Sequence, residues 1–202
     1  MSEQNQDIVL KIIILGSTQV GKTSIINRYF NNSFQENMLS TIGIDFKTKY
    51  FKFNEQKVKF NYIDTAGQEK FRAISVNYLK GANGAILVFD ITNKETFDLI
   101  LRWVDDINQN NKTNTSKLLF GNKSDLTEIR QVLYEEAEQL AQKLGCKYIE
   151  GSAKSGENIN EALDEIAKIS YEAFQNTERR HSIRLTSNEN NSKKEEDKKA
   201  CC

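Results

Sequence analysis

The sequence predicts an α/β domain, a three-layer sandwich in which five helices flank a six-stranded, mostly parallel sheet with one antiparallel strand. Apolar, strand-like runs alternate along the chain with segments of helical period, which is the pattern of parallel strands joined by crossover helices. Only Asn54-Glu55-Gln56 separates two of these runs, and three residues are too few for a crossover, so the two strands form an antiparallel hairpin. The predicted strands are 8–15, 45–53, 57–63, 84–91, 117–122 and 147–151, and the predicted helices are 22–31, 68–80, 94–110, 132–145 and 157–174.

Local signals mark where these elements begin and end. The first strand, 8–15, is a β-branched apolar run that ends at a glycine-bounded loop, and the first helix starts directly after that loop. The third helix opens at Thr92-Asn93-Lys94-Glu95, which resembles a capping box. The chain contains no proline, so the helix ends depend on Gly, Asn and Ser, as at Asn110-Asn111 and Gly145.

The length and composition predict one domain with a tail. The chain has 202 residues, enough for a sizeable core. We expect residues 1–7, which are polar, to be a flexible N-terminus and residues 8–175 to form the domain. After about Thr177 aromatic residues vanish and Asn, Lys, Glu and Ser dominate, a composition that cannot bury enough surface to offset chain entropy. Residues 176–202 are therefore predicted to be a disordered, hypervariable tail.

Charge and hydropathy argue against several classes of protein. Lys plus Arg and Asp plus Glu each number 28, so no global field favours nucleic acid. No apolar run approaches the ~18–20 residues of a membrane span, and the polar start of the chain is unlike a secretory signal. Three cysteines suit a reducing compartment. Cys146 is expected to be a small core residue, whereas Cys201 and Cys202 are the last two residues of the chain.

The most specific motif is Gly16-Ser17-Thr18-Gln19-Val20-Gly21-Lys22-Thr23, which fits the G-x-x-x-x-G-K-[ST] pattern of a phosphate-binding loop. A strand that enters such a loop and continues into a helix directs backbone N–H groups and the positive end of the helix at one point. Lys22 adds a charge for the outer phosphates, and the Thr23 hydroxyl is placed to bind Mg²⁺. Ser24 starts the helix and joins the predicted site. The alternative interpretation is a tight strand–helix turn without a ligand.

A second group of residues is predicted to act on the terminal phosphate. Asp64 follows a predicted strand, and an acid there can hold Mg²⁺, usually through water. Gly67 lets a backbone N–H approach the phosphate, and Gln68 can orient an attacking water. Thr41 lies between the first helix and the hairpin, where its hydroxyl and N–H can reach Mg²⁺ and the phosphate only when that phosphate is present.

A third group is predicted to recognise the base. Asp125, in Asn122-Lys123-Ser124-Asp125, can accept from the N1–H and the exocyclic amine of guanine, and adenine offers neither in that arrangement. Asn122 can bond the base N7 and tie neighbouring loops together. Gly151-Ser152-Ala153-Lys154 supplies small residues and N–H donors that can close over the base. Phe34 can stack on the base edge-on, and core packing is an equal alternative for that side chain.

These motifs, in this order and spacing, resemble those of small Ras-like GTPases over roughly residues 8–175, which implies a P-loop NTPase fold. Within that group the chain looks most like a Rab protein. The segments that carry this closer resemblance are Ile42-Gly43-Ile44-Asp45-Phe46, Lys70-Phe71-Arg72-Ala73-Ile74-Ser75, Tyr78-Leu79-Lys80-Gly81-Ala82 and Leu87-Val88-Phe89-Asp90-Ile91-Thr92. The terminal Cys201-Cys202 pair resembles the doubly geranylgeranylated end of Rab proteins.

The resemblance implies a GDP/GTP switch in vesicle traffic that hydrolyses GTP with Mg²⁺ as cofactor. Lys22, Thr41 and Gln68 would be catalytic, and Thr23, Thr41 and Asp64 would hold the metal. The expected partners are an exchange factor, an activating protein, a GDP-dissociation inhibitor or escort protein, and effectors, with no nucleic acid. The protein would be a monomer, anchored through geranylgeranyl groups to the cytoplasmic face of an intracellular membrane, with a cytosolic pool. The implied nucleotide site comprises Gly16, Ser17, Thr18, Gln19, Val20, Gly21, Lys22, Thr23, Ser24, Phe34, Thr41, Gly67, Asn122, Lys123, Asp125, Ser152, Ala153 and Lys154.

Four residues depart from the family pattern. Gln19 stands where glycine is usual, and if the backbone requires a positive φ there, a non-glycine residue costs of order 1 kcal/mol. Thr18 replaces a small Gly or Ser beside the terminal phosphate, which predicts slow intrinsic hydrolysis. Ile63 stands where Rab proteins generally carry a tryptophan of an aromatic cluster that helps to select effectors. Gly151 replaces a common threonine.

Two other functions remain open at this point. The first is a GTP-binding module with very slow intrinsic hydrolysis, motivated by Thr18 and Gln19. The second is an ATP-using P-loop kinase or motor, against which Asn122-Lys123-Ser124-Asp125 and the absence of residues for a lid argue. Single-turnover hydrolysis separates the first from a GTP hydrolase, and competition between guanosine and adenosine nucleotides separates the second.

Overall fold

The computed structural model describes residues 8–36, 44–65, 77–111 and 115–199, with side chains as far as residue 180. These ranges contain six strands, five complete α-helices, the end of a further helix at 77–79 and the 3-10 helix Ser124–Ile129. The strands are β1 (Ile8–Leu15), β2 (Ile44–Phe53), β3 (Gln56–Thr65), β4 (Gly84–Asp90), β5 (Ser116–Asn122) and β6 (Lys147–Glu150). The helices are α1 (Lys22–Asn31), α2 (Lys94–Asp98), α3 (Ile100–Asn110), α4 (Tyr134–Leu144) and α5 (Ile159–Lys199).

The six strands form one sheet in the order β2-β3-β1-β4-β5-β6. The hairpin strand β2 pairs antiparallel with β3, while β1 pairs parallel with both β3 and β4. Strands β5 and β6 continue the parallel part of the sheet. The predicted α/β architecture with one antiparallel strand is confirmed. Because the remaining strands run in the same direction, their carboxyl ends meet along one edge, where ligands bind in open α/β sheets.

Side chains of alternating strand positions build two cores, one on each face of the sheet. Ile12 and Ile14 of β1 are buried in a cluster with residues of α1 and α5. Ile13 and Leu15 are buried on the other face, in a cluster with residues of α3 and α4. Near-continuous burial of a central strand is expected when helices cover both of its faces. The chain is therefore a three-layer sandwich, as predicted.

The predicted helix 94–110 is two helices. Arg102 N donates to Leu99 O at 3.1 Å, a three-residue step that interrupts the four-residue ladder between α2 and α3. The cap also differs from the predicted capping box, because the Asn93 side chain accepts from Glu95 N at 3.0 Å. The Thr92 hydroxyl donates instead to the Asp90 carboxylate at 2.7 Å. An acidic side chain two residues upstream therefore takes the hydroxyl that the capping box required.

Three other helical segments compare differently with the prediction. Helix α4 begins at Tyr134 rather than 132, because Gln131 N and Val132 N both donate to Ile91 O and hold the connection extended. The predicted helix 68–80 lies outside the described residues except for its end, where 77–79 is helical. The sequence did not predict the 3-10 helix Ser124–Ile129, which carries Asp125.

The last helix, α5, starts at Ile159 and continues to Lys199, well past the predicted end near 174. No proline or glycine follows Gly156, so no residue sterically stops the helix. Described side chains of α5 pack against the core as far as Phe174. The domain boundary at 175–176 and the disorder of the tail stay predictions, and residues 1–7 and 200–202 lie outside the described part. In that part, no helix has the length and hydropathy needed to cross a membrane.

Candidate nucleotide site

The predicted phosphate and base motifs come together at the carboxyl edge of the sheet. The loop 16–21 follows β1, Asp64 lies at the end of β3, and Asn122 ends β5. The loop 151–155 follows β6, which is the neighbour of β5. Sheet register places Ile14 beside Asp64, so the start of the phosphate loop and the predicted metal ligand lie on adjacent strands.

Two glycines shape the phosphate loop. Gly16 has φ 148°, and a Cβ there would lie 2.2 Å from the carbonyl oxygen of Val88. Gly21 has φ 95°, and a Cβ there would lie 2.3 Å from Nδ2 of Asn122. Both positions therefore require glycine for space as well as for backbone conformation. Gln19 has φ 62° and is exposed, so the left-handed conformation considered from the sequence does occur at a non-glycine residue.

Lys22 lies buried beneath the loop at the start of α1. Its Nζ donates to the carbonyl oxygens of Gly16 and Ser17, each at 2.9 Å. Burial lowers the pKa of Lys22 to about 8, and the nearby Asp64 carboxylate opposes that shift. No side-chain hydrogen bond from Gly21 caps the N-terminus of α1, and the positive end of a helix favours an anion. The Ser17 hydroxyl oxygen is also buried without a hydrogen-bond partner.

Asp64 lies within β3, which continues to Thr65, rather than after the strand as predicted. The longer strand is held by the Thr65 hydroxyl, which donates to Ile14 O of β1 at 2.6 Å. Both carboxylate oxygens of Asp64 are buried and have no hydrogen-bond partner. Burial raises the pKa of Asp64, while the Thr23 hydroxyl and the Lys22 ammonium oppose that shift. A buried carboxylate with unused lone pairs beside a hydroxyl fits Mg²⁺, a cation that takes oxygen ligands.

Asn122 joins the phosphate loop to the loop after β6. Its Nδ2 donates to Val20 O at 2.7 Å, and its Oδ1 accepts from Ala153 N at 3.1 Å. The side chain is buried, so both bonds are shielded from water. The next residue, Lys123, has φ 71° and an ion pair of 2.5 Å with the buried Asp90 carboxylate. The backbone that leads to Asp125 is thus anchored to the end of β4.

Ser152 organises the rest of the predicted base site. Its hydroxyl donates to the Asp125 carboxylate and accepts from Lys154 N and Ser155 N, each at 3.1 Å. The departure at Gly151 also has a packing reason, because a Cβ there would lie 2.4 Å from Glu157 O. A threonine at 151 would therefore require this loop to move.

Phe34 is half-buried and packs against the core cluster that contains residues of α1 and α5. Nearby, Lys154 forms an exposed ion pair of 3.0 Å with Glu36, near the start of the segment that carries Thr41. Ile63 is buried and lies opposite Phe46 in the sheet register, and the Phe46 and Tyr78 rings are 5.7 Å apart. Some predicted site residues lie outside the described residues. They are Thr41, Gly67 and Gln68, together with the predicted lipid acceptors Cys201 and Cys202.

Sequence reasoning missed two residues that organise the site. Asp90 orients Lys123, and its position at the carboxyl end of a buried strand was an available signal. Arg28, on α1, donates to Ala153 O at 2.9 Å and to Lys154 O at 2.6 Å. No spacing rule connects Arg28 to a loop more than a hundred residues away, so the sequence offered no signal for it.

Comparison with known proteins agrees with this geometry. A model of the Ras family matches residues 11–172. The chain is 38% identical over 168 residues to the GTP-binding protein ypt2 of Schizosaccharomyces pombe, which covers 83% of this chain and 84% of that protein. It is 44% identical over 163 residues to the Ras-related protein Rab-1 of Theileria annulata, with 80% and 74% covered. It is 42% identical over 166 residues to the Ras-related protein SEC4 of Saccharomyces cerevisiae, with 82% and 77% covered.

The matched region contains every described motif, from the phosphate loop to the loop after β6. The similarity to Rab-type relatives extends over most of the chain and most of each relative. The chain therefore belongs to the Ras family, as a small GTPase of the Rab type.

Proposed function

We propose that this protein binds GTP and GDP at the carboxyl edge of its sheet and hydrolyses GTP there with Gln68, Lys22 and Thr41. As a Rab-type protein it is a small GTP hydrolase that acts in vesicle trafficking. The observation that carries the residue assignment is the convergence of a phosphate loop, a buried carboxylate and two loops that are proposed to recognise the base, with Asn122 joining the phosphate loop to the loop after β6.

Each part of the site has a proposed role. The N–H groups of the phosphate loop and of the first turn of α1 bind the phosphates, together with the Lys22 ammonium. Thr23, Asp64 and Thr41 would hold Mg²⁺, which supplies positive charge to the phosphate oxygens when bound. Gly67 N–H would approach the terminal phosphate and Gln68 would orient water. The proposed nucleotide residues are those named from the sequence.

The base is proposed to be guanine. The Asp125 carboxylate, oriented by the Ser152 hydroxyl, accepts from the N1–H and the exocyclic amine, and the same group would face an acceptor in adenine. Asn122 is proposed to contact the base as well, and the loop that contains Ser152, Ala153 and Lys154 would close over it. Phe34 is proposed to contact the base from the rim of the core cluster against which it packs.

Single-turnover hydrolysis by the wild type and Gln68→Leu tests the catalytic proposal. The substitution keeps the side-chain volume but removes the groups that orient water, so we expect hydrolysis stimulated by an activating protein to fall by two or more orders of magnitude. Nucleotide affinity should barely change, because Mg²⁺, Lys22 and backbone N–H groups supply most of the charge stabilisation. Gln175→Leu, on α5, is a matched control. Equal stimulated rates for Gln68→Leu and wild type would exclude a catalytic role for Gln68.

Membership of the family also indicates which classes of protein interact with this one and that it associates with intracellular membranes. Rab-type proteins interact with exchange factors, activating proteins and effectors, and they associate with intracellular membranes in trafficking. We propose in addition that geranylgeranyl groups on Cys201 and Cys202 anchor the protein to the cytoplasmic membrane face. A GDP-dissociation inhibitor or escort protein would then maintain a cytosolic pool.

A further inference from the structure

One arginine on α1, the helix after the phosphate loop, donates a fork of hydrogen bonds to the loop 151–155, which we call the base loop. Arg28 is half-buried on α1, and its Nε donates to Ala153 O at 2.9 Å while its Nη2 donates to Lys154 O at 2.6 Å. Its Nη1 donates to Asn32 O at 3.2 Å, at the carboxyl end of the same helix. One planar guanidinium therefore satisfies carbonyl groups of two separate segments.

The backbone at Asn32 and at Gly156 lies against the Arg28 side chain. Asn32, which caps α1, has φ 49°, and its N–H bonds back to Arg28 O. Gly156 has φ 88°, and a Cβ there would lie 3.5 Å from Arg28 Cδ, so the side chain of Arg28 packs against a glycine backbone. The Arg28 side chain is thus contacted along its aliphatic part by Gly156 and at its guanidinium by Asn32 O. A planar guanidinium that is already positioned loses less conformational entropy for each hydrogen bond that it forms.

These bonds complete the support of the base loop. Ala153 has its N–H bonded to Asn122 and its carbonyl bonded to Arg28. Ser152 in the same loop bonds the Asp125 carboxylate through its hydroxyl. The position of Asp125 therefore depends on a loop that Arg28 holds, and α1 links this loop to the phosphate loop that precedes it.

We propose that Arg28 is a positioning residue for guanine: its fork holds the base loop closed, slows the release of nucleotide and keeps Asp125 aligned with the exocyclic amine. This inference rests on the proposed function, because it requires a guanine nucleotide in the site. Arg28 acts through the carbonyl groups of Ala153 and Lys154 and through Ser152.

The test measures the dissociation rate of fluorescent GDP from the full chain and the affinities for GDP and inosine diphosphate, which lacks the exocyclic amine. The variants are Arg28→Lys, which keeps the charge but loses the fork, and Arg28→Met, which loses both. Arg102→Met, an exposed arginine on the opposite face of the sheet, is the matched control. Far-ultraviolet circular dichroism and thermal unfolding with bound GDP establish that each variant is folded.

We expect GDP to dissociate about 10-fold or more faster from both Arg28 variants, since two hydrogen bonds from a charged donor are lost. The preference for GDP over inosine diphosphate should narrow several-fold, because Asp125 is no longer held. Arg102→Met should match the wild type in both measurements. If Arg28→Met does not fold, Arg28→Lys provides the same comparison.

Three results would overturn the inference. An unchanged dissociation rate in Arg28→Lys would mean that the fork does not retain nucleotide. Rescue of both properties by lysine would assign the effect to charge alone. Faster dissociation with an unchanged GDP-to-inosine-diphosphate ratio would leave Arg28 with a structural role only. A wild-type chain that does not prefer GDP to ADP would instead contradict the proposed function, so the two failures are distinguishable.

Discussion

Asp125 is exposed in the first turn of a short 3-10 helix, and its side chain accepts a hydrogen bond from the Ser152 hydroxyl. The oxygen that accepts this bond keeps a second lone pair, so both carboxylate oxygens can still accept from a ligand. This capacity explains how a single acidic residue can be both held in place and used for recognition. The same geometry predicts how replacing the Asp125 carboxylate by an amide would change the recognition of the base.

We predict that Asp125→Asn exchanges guanine for xanthine selectivity. The amide oxygen keeps the bond from Ser152, so the amide NH₂ faces the N1–H and amine of guanine, a donor–donor mismatch that costs several kcal/mol when desolvated. Competition binding with GTP and xanthosine triphosphate measures the change. Ser152→Ala is the control, because it should weaken binding without changing the preferred base. Unchanged GTP affinity in Asp125→Asn would refute the assignment.

Gln19 illustrates strain at a single residue of the phosphate loop. Its φ of 62° lies in the left-handed region, which raises the free energy of a non-glycine residue by about 1 kcal/mol. Because the side chain is exposed, packing does not offset this strain. We predict that Gln19→Gly raises the free energy of unfolding, by less than about 1 kcal/mol because glycine also increases the entropy of the unfolded chain. Asn54→Gly is matched in φ, at 54°, and should have a smaller effect because asparagine tolerates this conformation. Denaturant titration with bound GDP compares the two, and equal midpoints for Gln19→Gly and the wild type would remove the strain argument.

At the scale of elements, the segment from β4 to α2 shows how one carboxylate changes a helix start. Asp90 ends β4 and accepts from the N–H and the hydroxyl of Thr92. Because Thr92 is occupied, Asn93 becomes the cap of α2. The five-residue helix α2 is too short to be stable without such support. The same carboxylate orients Lys123, so the cap and the base site share a partner.

We predict that Asn93→Ala lowers the free energy of unfolding by about 1 kcal/mol, the usual cost of losing a helix cap. Asn93→Asp retains an acceptor for Glu95 N and should stay within a few tenths of a kcal/mol of the wild type. Denaturant unfolding of the GDP-bound proteins measures both. If alanine and aspartate behave alike, the side chain of Asn93 does not stabilise α2.

At the scale of the whole molecule, membrane attachment is proposed to depend on the last two residues. No helix of the described part is able to cross a membrane, and Cys201 and Cys202 follow a polar segment without aromatic residues. Lipid burial contributes ~0.8 kcal/mol per CH₂, and one lipid chain binds only marginally, so lipids on two adjacent cysteines would provide the stable anchoring that we propose. Carboxylates among the lysines of this segment, such as Glu195 and Glu196, limit any attraction to anionic lipid.

We predict that replacing both Cys201 and Cys202 by serine makes the protein fully cytosolic in cell fractionation while GTP affinity stays at the wild-type value. Cys146→Ser is the control, because Cys146 packs against the core beside α4 and should not affect membrane association. Membrane association of the double-serine protein would contradict the anchoring proposal.

The sequence alone was sufficient for the features whose causes are local. Strands such as β1 and β4 contain apolar runs, and each motif is a short segment whose residues follow one another, as in Gly16 to Thr23. Alternation of these segments predicted the sheet with its one antiparallel strand, and the order of motifs predicted a guanine nucleotide. The predicted helix boundaries were less reliable where another group competed for a capping side chain, as when the nearby Asp90 carboxylate accepted a hydrogen bond from the Thr92 hydroxyl.

Only the tertiary structure decided how the motifs are joined. Asn122 bonds Val20 across 102 positions of the chain, and Arg28 bonds Ala153 across 125. Such pairs depend on strand order and register, which bring β1, β5 and β6 to one edge, and a hydrogen bond leaves no spacing pattern when its partners are far apart in sequence. The residue types of the site could therefore be predicted from the sequence. The contact between Arg28 and the base loop could not, because it exists only when the folded sheet places that loop beside α1.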